Sequence, residues 1–145
     1  TSLASIKFPA SLESIGGSAF RDCTSLASIE LPASLESIGS QLLSNPLDIL
    51  LSMDVPALRA FDGCTSLESI KLPVDSTLEH IGDNAFRDCT NLASVELPTS
   101  LKSIGDGAVY GCTSLDSLEL PASLKSIGGG AFHGCTSLAS IKLPA

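Results

Sequence analysis

The residue types able to do chemistry recur at fixed intervals. Cysteine stands at Cys23, Cys64, Cys89, Cys112 and Cys135, in steps of 41, 25, 23 and 23 residues. Such residues could form disulfides, bind zinc or act as nucleophilic thiolates. Zinc sites commonly draw on C-x-x-C pairs; none occurs here, and His80 and His133 fall at different repeat positions. A disulfide needs Cβ atoms about 3.5–4.5 Å apart with a twisted torsion, which side chains leaving one repeat position in parallel do not readily offer. The five are therefore expected to be buried free thiols. Serine is abundant, but at recurring positions and without a positioned base and orienting group. Gly128-Gly129-Gly130 lacks the G-x-G-x-x-G spacing of a phosphate cradle, and the calcium-binding G-G-x-G-x-D repeat is absent. These residues predict no catalytic group, no metal site and no cofactor.

The interval says more than the thiols do. The last two steps define a unit, C-T-S-L-x-S-I-x-L-P-x-S-L-x-S-I-G-x-x-A-F-x-x-C, and the 25-residue step is the same unit widened by two residues within 73–78. In the first half of a unit, Ile29 and Leu31 alternate with Ser28 and Glu30, the period of a strand with one buried face. Pro32 has no amide donor and ends that strand. The second half, Leu35-Glu36-Ser37-Ile38-Gly39, reads as a shorter extended segment whose glycine permits a sharp turn into the Ala-Phe-x-x-Cys piece, itself expected to be a helical turn. One unit cannot bury its own apolar side, so neighbours must stack with parallel strands about 4.8 Å apart. With 43% apolar residues, 17% charged, no Trp and one Met, the core must be thin layers of Leu, Ile, Val and Ala.

The 41-residue step could be a foreign insert, but its residues read better as a worn repeat. Leu42 and Leu43 lie over Ala-Phe, Pro46 over Cys, and Leu50-Leu51-Ser52-Met53-Asp54-Val55-Pro56 matches Leu26-Ala27-Ser28-Ile29-Glu30-Leu31-Pro32 class for class. About seven first strands are then expected, with a divergent repeat at 47–64. Stacking turns sequence columns into ladders. One column is charged throughout: Lys7, Glu30, Asp54, Lys71, Glu96, Glu119 and Lys142, with opposite charges at four of its six steps. The ladder can hold strand register, a cross-strand pair contributing about 0.2–1 kcal/mol, or it can also supply the polar contacts of a recognition face. The adjoining column is mostly small, with Glu68 and Asp116 its acidic members. On the second halves, Glu13, Glu36, Glu79, Lys102 and Lys125 run from acidic to basic. Leu47, Ile49 and Leu51 are left over once the worn repeat's core positions are filled, and predict an apolar contact for a partner or for self-association. The L-x-x-L-L pattern over 47–51 has a weaker claim as a docking helix, because Leu50 is needed in the core.

The repeated motif, with Leu, Ile, Pro, Gly, Ala-Phe and Cys at fixed offsets, resembles the BspA-like, or Treponema-type, leucine-rich repeat family over essentially the whole chain. The departures are 42–59 and Val109-Tyr110, where Val stands for Phe. The resemblance implies a leucine-rich repeat solenoid, mainly β with short helical turns, in secreted or cell-surface proteins associated with adhesion to host or matrix proteins, and it implies no catalytic residues. The expectation is one array over 1–145, a segment of a longer protein since neither end shows a distinct cap. Its function would be protein binding or adhesion through a repetitive polar surface; the alternative is a structural component whose repeats stack end to end or dock in a larger complex. A net charge of −8 opposes nucleic-acid phosphates and anionic membranes, and no apolar run approaches the roughly 20 residues of a membrane span.

Overall fold

Alternating apolar residues and a proline stop give each unit two short strands, and parallel stacking carries both into ladders. The computed structural model describes residues 3–39, 59–73 and 75–144. First strands are β1 (Ser5–Ile6), β3 (Ser28–Glu30), β5 (Ser69–Lys71), β7 (Ser94–Val95), β9 (Ser117–Glu119) and β11 (Ser140–Lys142). Second strands are β2 (Ser14–Ile15), β4 (Ser37–Ile38), β6 (His80–Ile81), β8 (Ser103–Ile104) and β10 (Ser126–Ile127). The second strands form one parallel sheet, β10-β8-β6-β4-β2. The first strands form two, β1-β3-β5-β7 and β9-β11. Pairing is in register, with like repeat positions opposed, as in Ser5↔Ser28 and Ile38↔Ile81; His80 takes a serine place opposite Ser37.

Two expectations change. The first is the number of first strands: six are described rather than about seven, and β3 pairs directly with β5 through Ser28↔Ser69, Ile29↔Ile70 and Glu30↔Lys71. No rung stands between them. Residues 40–58, on which most of the divergent repeat falls, lie outside the described residues. The second is the Ala-Phe-x-x-Cys piece, which is a pair of tight turns; no helix occurs among the described residues. In the rung ending at Cys89, Arg87 donates to the Asn84 carbonyl and Cys89 to that of Phe86, while the amides of Asn84, Phe86 and Asp88 reach across to Asp106, Ala108 and Tyr110 of the following rung. A helix would keep all these bonds within one segment. What breaks it is positive φ at Asn84 (51°) and Asp88 (54°), a conformation that cannot propagate right-handed helix. The turns thus make a third bonded wall.

That wall also explains which residues alternate down it. The positive-φ position before each cysteine holds Asp22, Gly63, Asp88, Gly111 and Gly134. An aspartate there leans along the stack: a Cβ on Gly63 would lie 2.5 Å from Asp22 Oδ1, and one on Gly111 would collide with Asp88 Oδ1. Asn84 stands over Gly107 in the same way.

Inside, the leucines and isoleucines of successive rungs, among them Leu26, Ile29, Leu35, Ile38, Leu67, Leu92 and Leu101, are fully buried. A phenylalanine column runs beside them. Phe20 and Phe61 stack at 5.1 Å, Phe61 and Phe86 at 5.3 Å, and Phe8 meets Phe20 edge-on. Such pairs add about 0.5–1.5 kcal/mol each beyond their buried area.

Candidate functional site

On the first-strand face, side chains that point away from the core form two exposed columns and one mixed one. The serine column comprises Ser5, Ser28, Ser69, Ser94, Ser117 and Ser140. Two residues further along each strand stand Lys7, Glu30, Lys71, Glu96, Glu119 and Lys142. Because Glu30 neighbours Lys71 directly, signs alternate at every step but one, Glu96 beside Glu119. Lys71 Nζ lies 3.9 Å from Glu30 Oε1 and Lys142 Nζ 4.0 Å from Glu119 Oε1; both pairs are well exposed. At that exposure each holds register weakly and leaves its charge open to a partner. Glu68 and Asp116 occupy the adjoining column beside Ala4, Ala27, Ala93 and Ala139, and Asp116 Oδ1 accepts from Ser117 at 2.9 Å. Asp54, Leu47, Ile49 and Leu51 lie outside the described residues.

The second-strand face concentrates its polar contacts around Glu79. Lys102 Nζ donates to Glu79 Oε1 at 2.6 Å, and this hydrogen bond holds the Glu79 carboxyl below its ordinary range. His80 Nδ1 lies 2.8 Å from Ser103 Oγ, with Nε2 3.8 Å from Glu79 Oε2. Serine, histidine and glutamate are the residue types of a hydrolytic triad. Here the carboxylate is too distant to orient the imidazole, and all three lie on an open, solvated sheet face.

The turn wall carries side-chain contacts where the repeat pattern announces only variable turn residues. Arg87 lies 5.2 Å over the Tyr110 ring, and Tyr110 stacks on His133 at 5.1 Å. Earlier in the same column buried Asp62 takes Arg59 at 3.2 Å and Arg21 at 3.7 Å. Asp83 Oδ1 accepts the Asp106 amide at 2.8 Å, and Asp106 Oδ1 the Gly129 amide at 2.6 Å. These residues vary between units, so the consensus hid them; tabulating the two positions before each cysteine would have found the first set.

The cysteines face inward and bond to backbone. Cys64, Cys89, Cys112 and Cys135 each donate from Sγ to the carbonyl of Phe20, Phe61, Phe86 and Val109 in the preceding rung, at 3.1–3.2 Å. Contact with the Cys64 thiol, then burial, pushes the Cys89 thiol up, and burial pushes Cys112 up to about 12. Such thiols stay protonated and unreactive at neutral pH. Among the described residues no three His, Cys, Asp or Glu side chains converge to hold a metal, and no helix is long and apolar enough to cross a membrane.

Similarity to known proteins follows the repeat. The profile of the BspA type leucine-rich repeat region matches in six copies, over residues 1–57 and 57–145. A crystal structure of a T. pallidum leucine-rich repeat protein is similar at 35% identity with a TM-score of 0.80, covering 97% of this chain and 59% of that one. The pneumococcal vaccine antigen PcpA is similar at 27% identity and a TM-score of 0.62, over 79% of this chain and 24% of that one. A leucine-rich cell surface protein of Faecalibacterium prausnitzii, 21% identical over 97% of this chain and 48% of that one, shares the fold with a TM-score of 0.57. No curated protein matches the chain. The chain spans about three fifths of the T. pallidum protein and about a quarter of the pneumococcal antigen.

Proposed function

The chain belongs to the BspA-type leucine-rich repeat family, and from that premise we propose that it is a protein-binding, adhesive module at the cell surface whose recognition surface is the first-strand face. The observation that carries this reading is the column Lys7, Glu30, Lys71, Glu96, Glu119 and Lys142. Its charges alternate at every step but Glu96 to Glu119, recur once per rung and stand beyond a serine column from one that is mostly alanine. Regularly spaced charge favours a partner of matching pattern, and small side chains on the same face let its backbone approach. Glu68 and Asp116 flank the column and belong to the same surface. Leu47, Ile49 and Leu51 supply a second, apolar contact in this proposal.

The test is binding to a panel of immobilised extracellular-matrix proteins, with the Glu30→Ala/Lys71→Ala variant beside the unaltered chain. Binding should weaken with salt and fall about tenfold in the variant, whose stability should change by less than about 1 kcal/mol. Undiminished binding by the variant would place the surface elsewhere. Failure to bind any matrix protein, together with concentration-dependent association in light scattering, would favour the assembly reading instead. Association lost on changing Leu47 and Ile49 to Ser would assign that contact to the apolar residues.

A further inference from the structure

We infer that the solenoid contains one built-in joint, at the step from β7 to β9, where the first-strand wall can open while the other two walls stay bonded. Three independent features coincide there. The first is the ladder itself. Strands β1, β3, β5 and β7 pair continuously and β9 pairs with β11, but β7 and β9 share no ladder. Two backbone bonds cross the step ahead of the strands, Ser114 amide to Thr90 carbonyl at 3.2 Å and Asp116 amide to Ala93 carbonyl at 3.4 Å, and the strands themselves add no ladder. On the second-strand wall the same two rungs are joined by Ser126↔Ser103 and Ile127↔Ile104. On the turn wall Gly107, Val109 and Gly111 donate to Gly129, Ala131 and His133 at 2.9–3.0 Å. Of the three walls, only the first-strand wall lacks its ladder at this step.

The second feature is undersized packing beneath the gap. Val95 stands where β1, β3 and β5 carry Ile6, Ile29 and Ile70, and Val109 where other rungs carry Phe20, Phe61 and Phe86. Both substitutions fall in one rung. They leave a void of about 10 Å³ lined wholly by apolar side chains, including Leu97, Ile104, Leu118 and Phe132. The phenylalanine stack is interrupted at the same level. The third feature is charge: Glu96 and Glu119, the one like-charged step of the column, flank an open groove of about 420 Å³ at the outer surface of the gap. Lost backbone bonds, missing core volume and repulsion all weaken the same step. With its hinge on two bonded walls, opening the third wedges the rungs apart and bends the first-strand face, so the curvature offered to a partner changes at one step. The joint is a property of the rungs themselves and stands whether or not that face is the binding surface.

Amide hydrogen exchange on the whole chain tests it. Amides at 94–97 and 116–119, in strands laddered on one side, should exchange faster as a group than those at 28–31 and 69–71, in strands laddered on both sides. The Val95→Ile/Glu96→Gln variant fills the void by one methylene and removes the like-charge contact. It should slow the β7 and β9 amides by about fourfold or more, leaving the β3 and β5 amides unchanged. Equal protection of the two steps in the unaltered chain would overturn the joint, and so would a variant that slowed every rung alike.

Discussion

The glycine that ends each second strand measures how closely the rungs approach. A Cβ on Gly82 would sit 2.7 Å from the carbonyl carbon of Gly39 in the rung before, and that obstacle is backbone, which cannot swing aside. Gly16 occupies the same repeat position, yet nothing lies within 4 Å of its Cβ direction. Gly82→Ala should therefore cost about 1–3 kcal/mol, whereas Gly16→Ala should stay within about 0.5 kcal/mol; urea unfolding of the two variants checks the contrast. At this scale the sequence was legible where a residue never varied. The inward cysteines follow from their fixed place beside Ala-Phe. What escaped was conformation: aspartate and asparagine at Asp22, Asn84 and Asp88 look like polar turn residues until φ shows that they share a position with glycine.

Short strands gain their order from the side chains that tie one rung to the next. The strands span two or three residues each, too few for backbone pairing alone to fix them. The serine of the P-x-S-L motif supplies part of the remainder. Ser34, Ser100 and Ser123 donate to the Leu12, Leu78 and Leu101 carbonyls of the preceding rung at 2.7 Å each. Ser100→Ala should lower stability by about 0.5–1.5 kcal/mol, and thermal unfolding should register it. The motif's serine was visible in the sequence, but its partner is a carbonyl in another unit, which no residue type announces. Strand positions and register were legible, because period-2 alternation and a proline stop recur in every unit. The turn piece was misread as helical because Ala-Phe-x-x-Cys shows a helix-like spacing, while the bonds that decide it run between rungs.

For the molecule as a whole, the spacing of units and their stacking order can be separated. Cys23 and Cys64 are 41 residues apart, yet their rungs are neighbours. Joining Ser40 to Arg59 would leave Gly39-Ser40-Arg59-Ala60-Phe61, which has the G-x-x-A-F form of the units ending at Cys23, Cys89 and Cys135, and would shorten the step to 23 residues. A chain lacking residues 41–58 should then keep its circular dichroism spectrum and unfold in one transition; loss of the folded spectrum would show that the segment is required. The sequence could not decide this point. Residues 50–56 match the strand pattern class for class, and a pattern match does not tell whether a neighbour leaves room for another rung.

The leaning aspartates carry a consequence for inheritance. Asp22 stands over Gly63, Asp88 over Gly111 and Asn84 over Gly107, each side chain occupying the space that a Cβ in the next rung would need. Arrays of this kind lengthen when a stretch of gene is copied in tandem. Copying the unit that ends at Cys89 would set Asp88 over a second aspartate, whereas copying the unit that ends at Cys112 would set Gly111 over glycine, as Gly134 already stands after it. The stack therefore accepts glycine-bearing units in succession and aspartate-bearing ones only in alternation.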